Sequence, residues 1–364
     1  MKKKKIGIIT IHTDFNYGAV LQAIATQKIL EFNGYDAEII DYENPVISQQ
    51  SRLCYKQNGK VIGYFVTFIR NTVFGRFFYY KKAIKNLNRY LKKSDGKYQT
   101  SNELDEVLYD VLVAGSDQIW NPLISRGLDP VFMLDFCKGV KKVSIASSMG
   151  SYKLTSDDKS VFKELLKNFD FISVREEHAK MQLQDLTEKK IKVLLDPTLL
   201  LNKSMWWDFI AKDSRYLDKK QHYILTYFVG GDKNKYRDKV QEYSDALKLP
   251  VWTLQYSNYT WKESDKKILG ASINDFVALI GNADLVLTDS FHGVAFSVNF
   301  GVEFVPLTNI ENPVRVREFL SELEIEDRID MKPQDFKNIN YEYIEKKLDI
   351  MRKDSIKWII DAIN

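Results

Sequence analysis

Two cysteines, Cys54 and Cys137, are all that 364 residues contain. Two thiols make neither a disulfide framework nor a metal cluster, and this usage suits a reducing cytoplasm. Long apolar runs are also missing. The longest nearly apolar stretch, residues 61–69, is less than half of the ~20 residues that cross a bilayer. Lysines 2–5 resemble the basic start of a signal peptide, but the apolar run 6–11 behind them is too short for a secretory segment. Neither sign of charge dominates: the net charge is +4, and there is no zinc-finger spacing or RNA-binding aromatic signature, so no nucleic-acid partner is expected. No Gly-x-Gly-x-x-Gly follows the first strand, which leaves a dinucleotide site unsupported. No metal-ligand spacing is visible, and no metal is expected.

What is present is an ordinary globular composition, 45% hydrophobic and 28% charged, in a chain long enough for two domains. Short apolar runs alternate with helical patterns throughout. Ile6–Ile11, Ala37–Asp41, Tyr109–Ala114, Lys142–Ala146 and Phe171–Val174 read as strands of a first parallel sheet. Tyr223–Val229, Val251–Gln255, Leu285–Leu287 and Glu303–Leu307 read as strands of a second. Tyr341–Ile363 reads as a long terminal helix. The pattern predicts two α/β domains, residues 1–202 and 203–364, with a cleft between them where a substrate sits.

The segment 44–94 departs from the rest. It holds eleven Lys or Arg and no Asp or Glu, interleaved with Phe and Tyr from Tyr64 to Tyr80. That composition suits the surface of an anionic membrane. It equally suits helices packed on the domain with a solvated basic face.

Three places carry polar chemistry. Leu285–Leu287 runs into Thr288, Asp289 and Ser290, which are N-cap residue types, and then into a helix from Gly293. A strand entering a helix N-terminus directs backbone N–H groups and the positive end of the helix dipole at one spot, and His292 sits there. The plainer reading of His292 is a cap or a packing residue. After Ala114 comes Gly115-Ser-Asp-Gln-Ile-Trp-Asn-Pro122, a polar loop at a strand's C-terminal end, where open α/β sheets bind ligands. Ser116, Asp117, Gln118 and Asn121 offer hydrogen bonds to sugar hydroxyls, and Trp120 offers a ring face. A structural staple is the alternative. Asn16, Tyr17 and Gly18, after the first strand, are grouped with them, Gly18 either admitting a ligand to the backbone or serving helix packing. Arg175 follows the strand 171–174, either as a fork for an anion or as the ion partner of Glu176 or Glu177.

Asn16-Tyr-Gly-Ala with Gln22, Gly115-Ser-Asp-Gln-Ile-Trp-Asn-Pro, Ser173-Val-Arg-Glu, Asp196-Pro-Thr and Thr288-Asp-Ser-Phe-His-Gly together resemble the polysaccharide pyruvyltransferases. They occur in that family's order between about residues 6 and 330. The resemblance implies two Rossmann-like domains facing across a cleft, as in B-type glycosyltransferases, with the acceptor on the N-terminal side and the donor on the C-terminal side. It implies transfer of the enolpyruvyl carbons of phosphoenolpyruvate onto two hydroxyls of a surface polysaccharide or its lipid-linked precursor. A cyclic pyruvate ketal forms and phosphate leaves. No cofactor is implied beyond that co-substrate.

On this reading His292 protonates the donor's C3, and Asp14 or Asp117 takes the proton of the attacking hydroxyl. The donor's anionic groups need cations, and Arg175 matches the family's arginine after the strand. Many members carry an arginine two residues before the motif histidine; here that position is Ser290, a subgroup form. Arg315 or Arg317 is expected to replace it, with Ser290 and Gly293 lining the donor side. A nucleotide-sugar glycosyltransferase of the same architecture is the alternative enzyme, with Trp252 or Tyr256 and Asp275 serving the nucleotide. A glycan-binding relative that has lost the donor site is the third reading. The expected location is cytoplasmic, with peripheral contact at the inner membrane face through residues 44–94.

Overall fold

The computed structural model describes residues 3–12, 16–48, 87–218, 221–230, 234–255, 264–308 and 314–364. Its first sheet holds β1 (Lys5–Ile9), β2 (Asp36–Tyr42), β3 (Lys93–Tyr98), β4 (Val111–Ala114) and β5 (Lys141–Ser144), in the order β3-β2-β1-β4-β5. β6 (Ile172–Val174) and β7 (Ile191–Val193) pair with each other, and the bridges Val143–Phe171 and Ser147–Val174 join them to that sheet. The second sheet holds β8 (Ile224–Tyr227), β9 (Val251–Gln255), β10 (Lys266–Leu269), β11 (Leu285–Thr288) and β12 (Phe304–Pro306), in the order β10-β9-β8-β11-β12. Every pairing is parallel.

The helices of the first part are α1 (Tyr17–Phe32), α2 (Pro122–Ser125), α3 (Ser156–Leu165), α4 (Glu177–Leu183), α5 (Pro197–Leu200) and α6 (Lys203–Phe209). Then come α7 (Arg237–Leu247), α8 (Ile273–Gly281), α9 (Phe291–Phe300), α10 (Val314–Glu322) and α11 (Tyr341–Ile363).

The same strand order appears twice, and in both sheets it reverses beside the first strand. Ligands of open α/β sheets bind outside the strand C-termini at such a reversal. One reversal lies between β1 and β4, and so brings together the chain around 10–18 and around 115–118. The other lies between β8 and β11, bringing together 228–230 and 289–293. The buried apolar runs explain the inner strands: Ile6, Ile8 and Ile9 in β1 and Val286 and Leu287 in β11 are fully buried. The outer strands β3 and β10 escape that signal. Both are edge strands with lysines and half-exposed positions, and backbone pairing on one side holds them. Helix α3 starts earlier than its apolar pattern, because Thr155 and Asp158 close a capping box ahead of it.

Helix α1 is buried almost all round, with 13 of its 16 residues inside. It lies between the first sheet and the helices of the second half. Tyr17 stacks on Phe276 of α8 with ring centroids 4.7 Å apart, and its hydroxyl donates to the Ala271 carbonyl at 2.8 Å. One apolar cluster runs from Ile6 to Ile363 and includes residues of both sheets. Helix α11 follows the second sheet in the chain but ends against the first: Lys4 and Lys141 donate to the carbonyls of Ile363 and Ala362, at 3.0 and 3.2 Å. Cations at a helix C-terminus are favourable there. Most of the expected insertion 44–94, from 49 to 86, lies outside the described residues, as does Cys54. No described helix is long and apolar enough to cross a membrane.

Candidate active site

The turn after β11 is built by short hydrogen bonds. Thr288 Oγ1 donates to the Tyr227 carbonyl at 2.5 Å and accepts from the Ser290 amide at 3.0 Å. The Asp289 carboxylate accepts from the amides of Val229 and Gly230 at 2.7 and 3.0 Å, which ties the ends of β8 and β11. Ser290 caps α9 by accepting the Gly293 amide at 3.4 Å. Ser290 and Gly293 thus complete the helix start, and His292 is fixed on its first turn.

His292 projects across to the other sheet. Its ring is buried and its Nδ1 side meets Gly18 on α1, where a Cβ would lie 2.0 Å away. Its Nε2 makes no hydrogen bond and lies 3.6 Å from Asp196 Oδ2. Asp196 caps α5: Oδ1 accepts from the Thr198 amide and hydroxyl at 2.9 and 2.6 Å. Oδ2 also accepts from Arg175 Nη1. Burial alone would push the Asp196 carboxyl up; Arg175 and His292 outweigh it and hold it well below the usual carboxylate range. Burial opposes the charge on Arg175, and Asp196, Glu176 and Asp117 together more than offset it, so the guanidinium is held above its ordinary value.

Arg175 is not saturated. Nε donates to Glu176 Oε1 at 3.2 Å, but Nη2 is buried without a partner. Arg315 of α10 stands beside it: both guanidinium groups lie over the Phe291 ring, 5.1 and 5.8 Å from its centroid. Arg315 has no carboxylate partner among the described residues, and burial together with the charge of Arg175 holds it below its ordinary value. A cavity of about 140 Å³ opens here, with Arg175, Asp196, Phe291, Arg315 and Ser355 in its wall. His292 is not in that wall; Asp196 and Phe291 stand between. Arg175 is buried and Arg315 half-buried; cations so screened from water, with hydrogen-bonding capacity to spare, stabilise an anion more than solvent-exposed cations would.

The polar loop after β4 divides. Asp117 sits in the left-handed region at φ 71°, and its charge acts on both Arg175 and Arg315. Gln118 accepts from Asn121 Nδ2 at 2.9 Å, and Asn121 caps α2. Ser116 is fully buried and spent: its hydroxyl donates to Ala146 at 2.7 Å, and its amide donates to Gln22 at 3.1 Å. Trp120 offers no face to a sugar. Its ring is fully buried, edge-on to Phe162 and Phe169, with Nε1 donating to the Phe132 carbonyl at 3.2 Å.

Other expectations change in the same way. Tyr17 is an interdomain contact, and Asn16 caps α1 by accepting the Gly18 amide at 2.9 Å. Arg317 is exposed and paired with Glu326, away from the cavity, so of the two replacement cations Arg315 alone is brought to Arg175. Trp252 stacks on Tyr223 at 4.0 Å, and Asp275 belongs to the capping box of α8 and pairs with Arg215. Both residues proposed for a nucleotide are therefore engaged in structure. Asp14 and Tyr256 lie outside the described residues. Asp196 carries no site signal in the sequence beyond Asp-Pro-Thr after a strand, which is a cap signature.

A family model for polysaccharide pyruvyl transferase matches residues 16–312. No curated protein matches the sequence. Among solved structures, UDP-GlcNAc 2-epimerase from Neisseria meningitidis bound to UDP-GlcNAc is 9% identical, with 99% of each chain covered and a TM-score of 0.51. The glycosyltransferase SnogD from Streptomyces nogalater is also 9% identical, with 99% of this chain and 100% of that one covered and a TM-score of 0.51. UDP-GlcNAc 2-epimerase from Methanocaldococcus jannaschii is 14% identical, with 96% and 92% covered and a TM-score of 0.50. At these identities the likeness is one of fold: two Rossmann-like domains, as in glycosyltransferases of the B type and in these epimerases.

Proposed function

Given that this chain belongs to the polysaccharide pyruvyl transferase family, we propose that it transfers the enolpyruvyl group of phosphoenolpyruvate to two hydroxyls of one sugar. The observation that carries this reading is the pair Arg175 and Arg315. They are two cations over one ring, one buried with an unpartnered Nη2 and one half-buried, with a histidine at a helix start on the far side of Asp196. Phosphoenolpyruvate brings a carboxylate and a phosphate to one small volume, and it needs cations there that water does not already satisfy.

The reaction then balances as follows. The His292 imidazolium gives its proton to C3, and C2 becomes an oxocarbenium carbon. The first sugar hydroxyl adds to C2 and gives its proton to a carboxylate; Asp117 is the described candidate and Asp14 the other. The C2–O bond to phosphate breaks, phosphate leaves with the bonding pair, and the second hydroxyl closes the ketal, losing its own proton. The two hydroxyl protons restore the imidazolium and protonate the departing phosphate. For His292 to deliver its proton the donor must reach past Asp196, so one carboxylate separates donor site and acid. The acceptor approaches from the strand ends of the first sheet, beside Gln118, and a lipid-linked sugar is the substrate form we favour.

The test is phosphate release from phosphoenolpyruvate in the presence of hexopyranosides with two free neighbouring hydroxyls, with the product mass read alongside. The reading expects stoichiometric phosphate and a ketal product, with turnover at least ~10²-fold lower in His292→Ala. Phosphate release without a ketal, or an unchanged His292→Ala, rejects it.

A further inference from the structure

One carboxylate oxygen serves both halves of the proposed chemistry. Asp196 Oδ2 accepts from Arg175 Nη1 and faces His292 Nε2 at 3.6 Å. The other oxygen is held by the start of α5. Helix α5 is itself fixed from below. Asn299 Nδ2 donates to the carbonyls of Thr198 and Leu201 at 3.1 and 2.8 Å. Arg352 Nε donates to the Leu199 carbonyl at 2.7 Å, and its Nη2 donates to Asn299 Oδ1 at 2.9 Å. The carboxylate therefore cannot turn away, and its side chain is fully buried.

We propose that Asp196 is a positioning residue: through one fixed oxygen it sets the donor cation Arg175 and the proton donor His292 relative to each other. This rests on the reaction proposed above. The groups around the ring are few. Asp196 is the sole anion at ion-pair distance among the described residues. Arg175 opposes it from the end of β6, Arg315 on α10 and Asp117 after β4 act through Arg175, and α1 presents the uncharged Gly18. When a donor anion engages Arg175, Asp196 Oδ2 keeps the guanidinium and the His292 ring in one fixed geometry.

Two variants separate positioning from mere support. Asp196→Asn keeps a capping oxygen for α5 and removes the charge beside the ring. Thr198→Val removes only the hydroxyl bond on the far oxygen. In Asp196→Asn the phosphoenolpyruvate Kd rises about tenfold or more, because the neutral amide no longer holds Arg175. The imidazole NMR signal that disappears in His292→Ala changes its chemical shift in Asp196→Asn, compared at one fixed pH. In Thr198→Val the melting temperature falls and neither readout moves. An unmoved imidazole signal in Asp196→Asn overturns the proposal, whatever happens to the Kd. Because the NMR comparison needs no substrate, it decides the role of Asp196 even if no ketal product is ever found.

Discussion

The imidazole of His292 rests on the bare α-carbon of Gly18, where an added Cβ would lie 2.0 Å from Nδ1. These residues belong to opposite halves of the chain. Glycine is required here by space and not by backbone angle, since Gly18 is an ordinary helical position in α1. Gly18→Ala forces the ring away from Asp196 or pushes α1 from α9. We expect a loss of about 1–3 kcal/mol in denaturant unfolding, together with a fall in turnover. A variant as stable and as active as the parent would mean that the ring is not held by this contact.

The two arginines of α10 should behave oppositely. Arg315 stands over Phe291 beside Arg175, whereas Arg317 is exposed and paired with Glu326. Arg315→Ala should raise the donor Kd about tenfold or more, as the loss of a charge-assisted contact predicts. Arg317→Ala should leave it within about twofold, because exposed ion pairs contribute little. Equal effects in calorimetric titration would remove Arg315 from the donor site.

Much of this fold was legible in the sequence, because parallel strands buried on both faces read as unbroken apolar runs. The edge strands β3 and β10 were not, since only backbone pairing marks them. Arg175 and His292 were legible because strand ends and helix starts are where such side chains converge. Trp120 misled: an aromatic in a polar loop reads as exposed, yet tertiary packing took the ring inward together with Ser116, Asp117, Ile119 and Asn121 around it. Gly18 matters through a partner in the opposite half of the chain, and Asp196 by joining Arg175, 21 residues before it, to His292 far beyond; no local pattern records either.

A second interdomain contact gives a pH dependence. His178 of α4 faces Glu318 of α10 at 3.3 Å. Burial pushes the His178 imidazole down, but Glu318 and Glu176 outweigh this and leave it above its ordinary 6.5. A raised histidine contributes stability that is fully present below 6.5 and is lost as pH rises through the raised value. Glu318→Gln should therefore lower stability by about 0.5–1 kcal/mol in acid and by progressively less in base. A difference that grows with pH in paired thermal melts would contradict the contact.

The basic aromatic segment supplies a separate test. The ends of the basic segment 44–94 are packed on the first sheet; we propose that its basic residues between 49 and 86 meet an anionic lipid surface. Co-sedimentation with vesicles rich in phosphatidylserine should be strong at low salt and fall as salt is added, since each basic residue near such a surface contributes about 1 kcal/mol that ions screen. Binding to neutral vesicles that ignores salt would refute it.

Calorimetric titration with phosphoenolpyruvate, set beside a uridine diphosphate nucleotide, tests the central claim most directly. The site described here predicts saturable phosphoenolpyruvate binding that Arg175→Ala abolishes, and no heat from the nucleotide. Saturable nucleotide binding with none from phosphoenolpyruvate would contradict it.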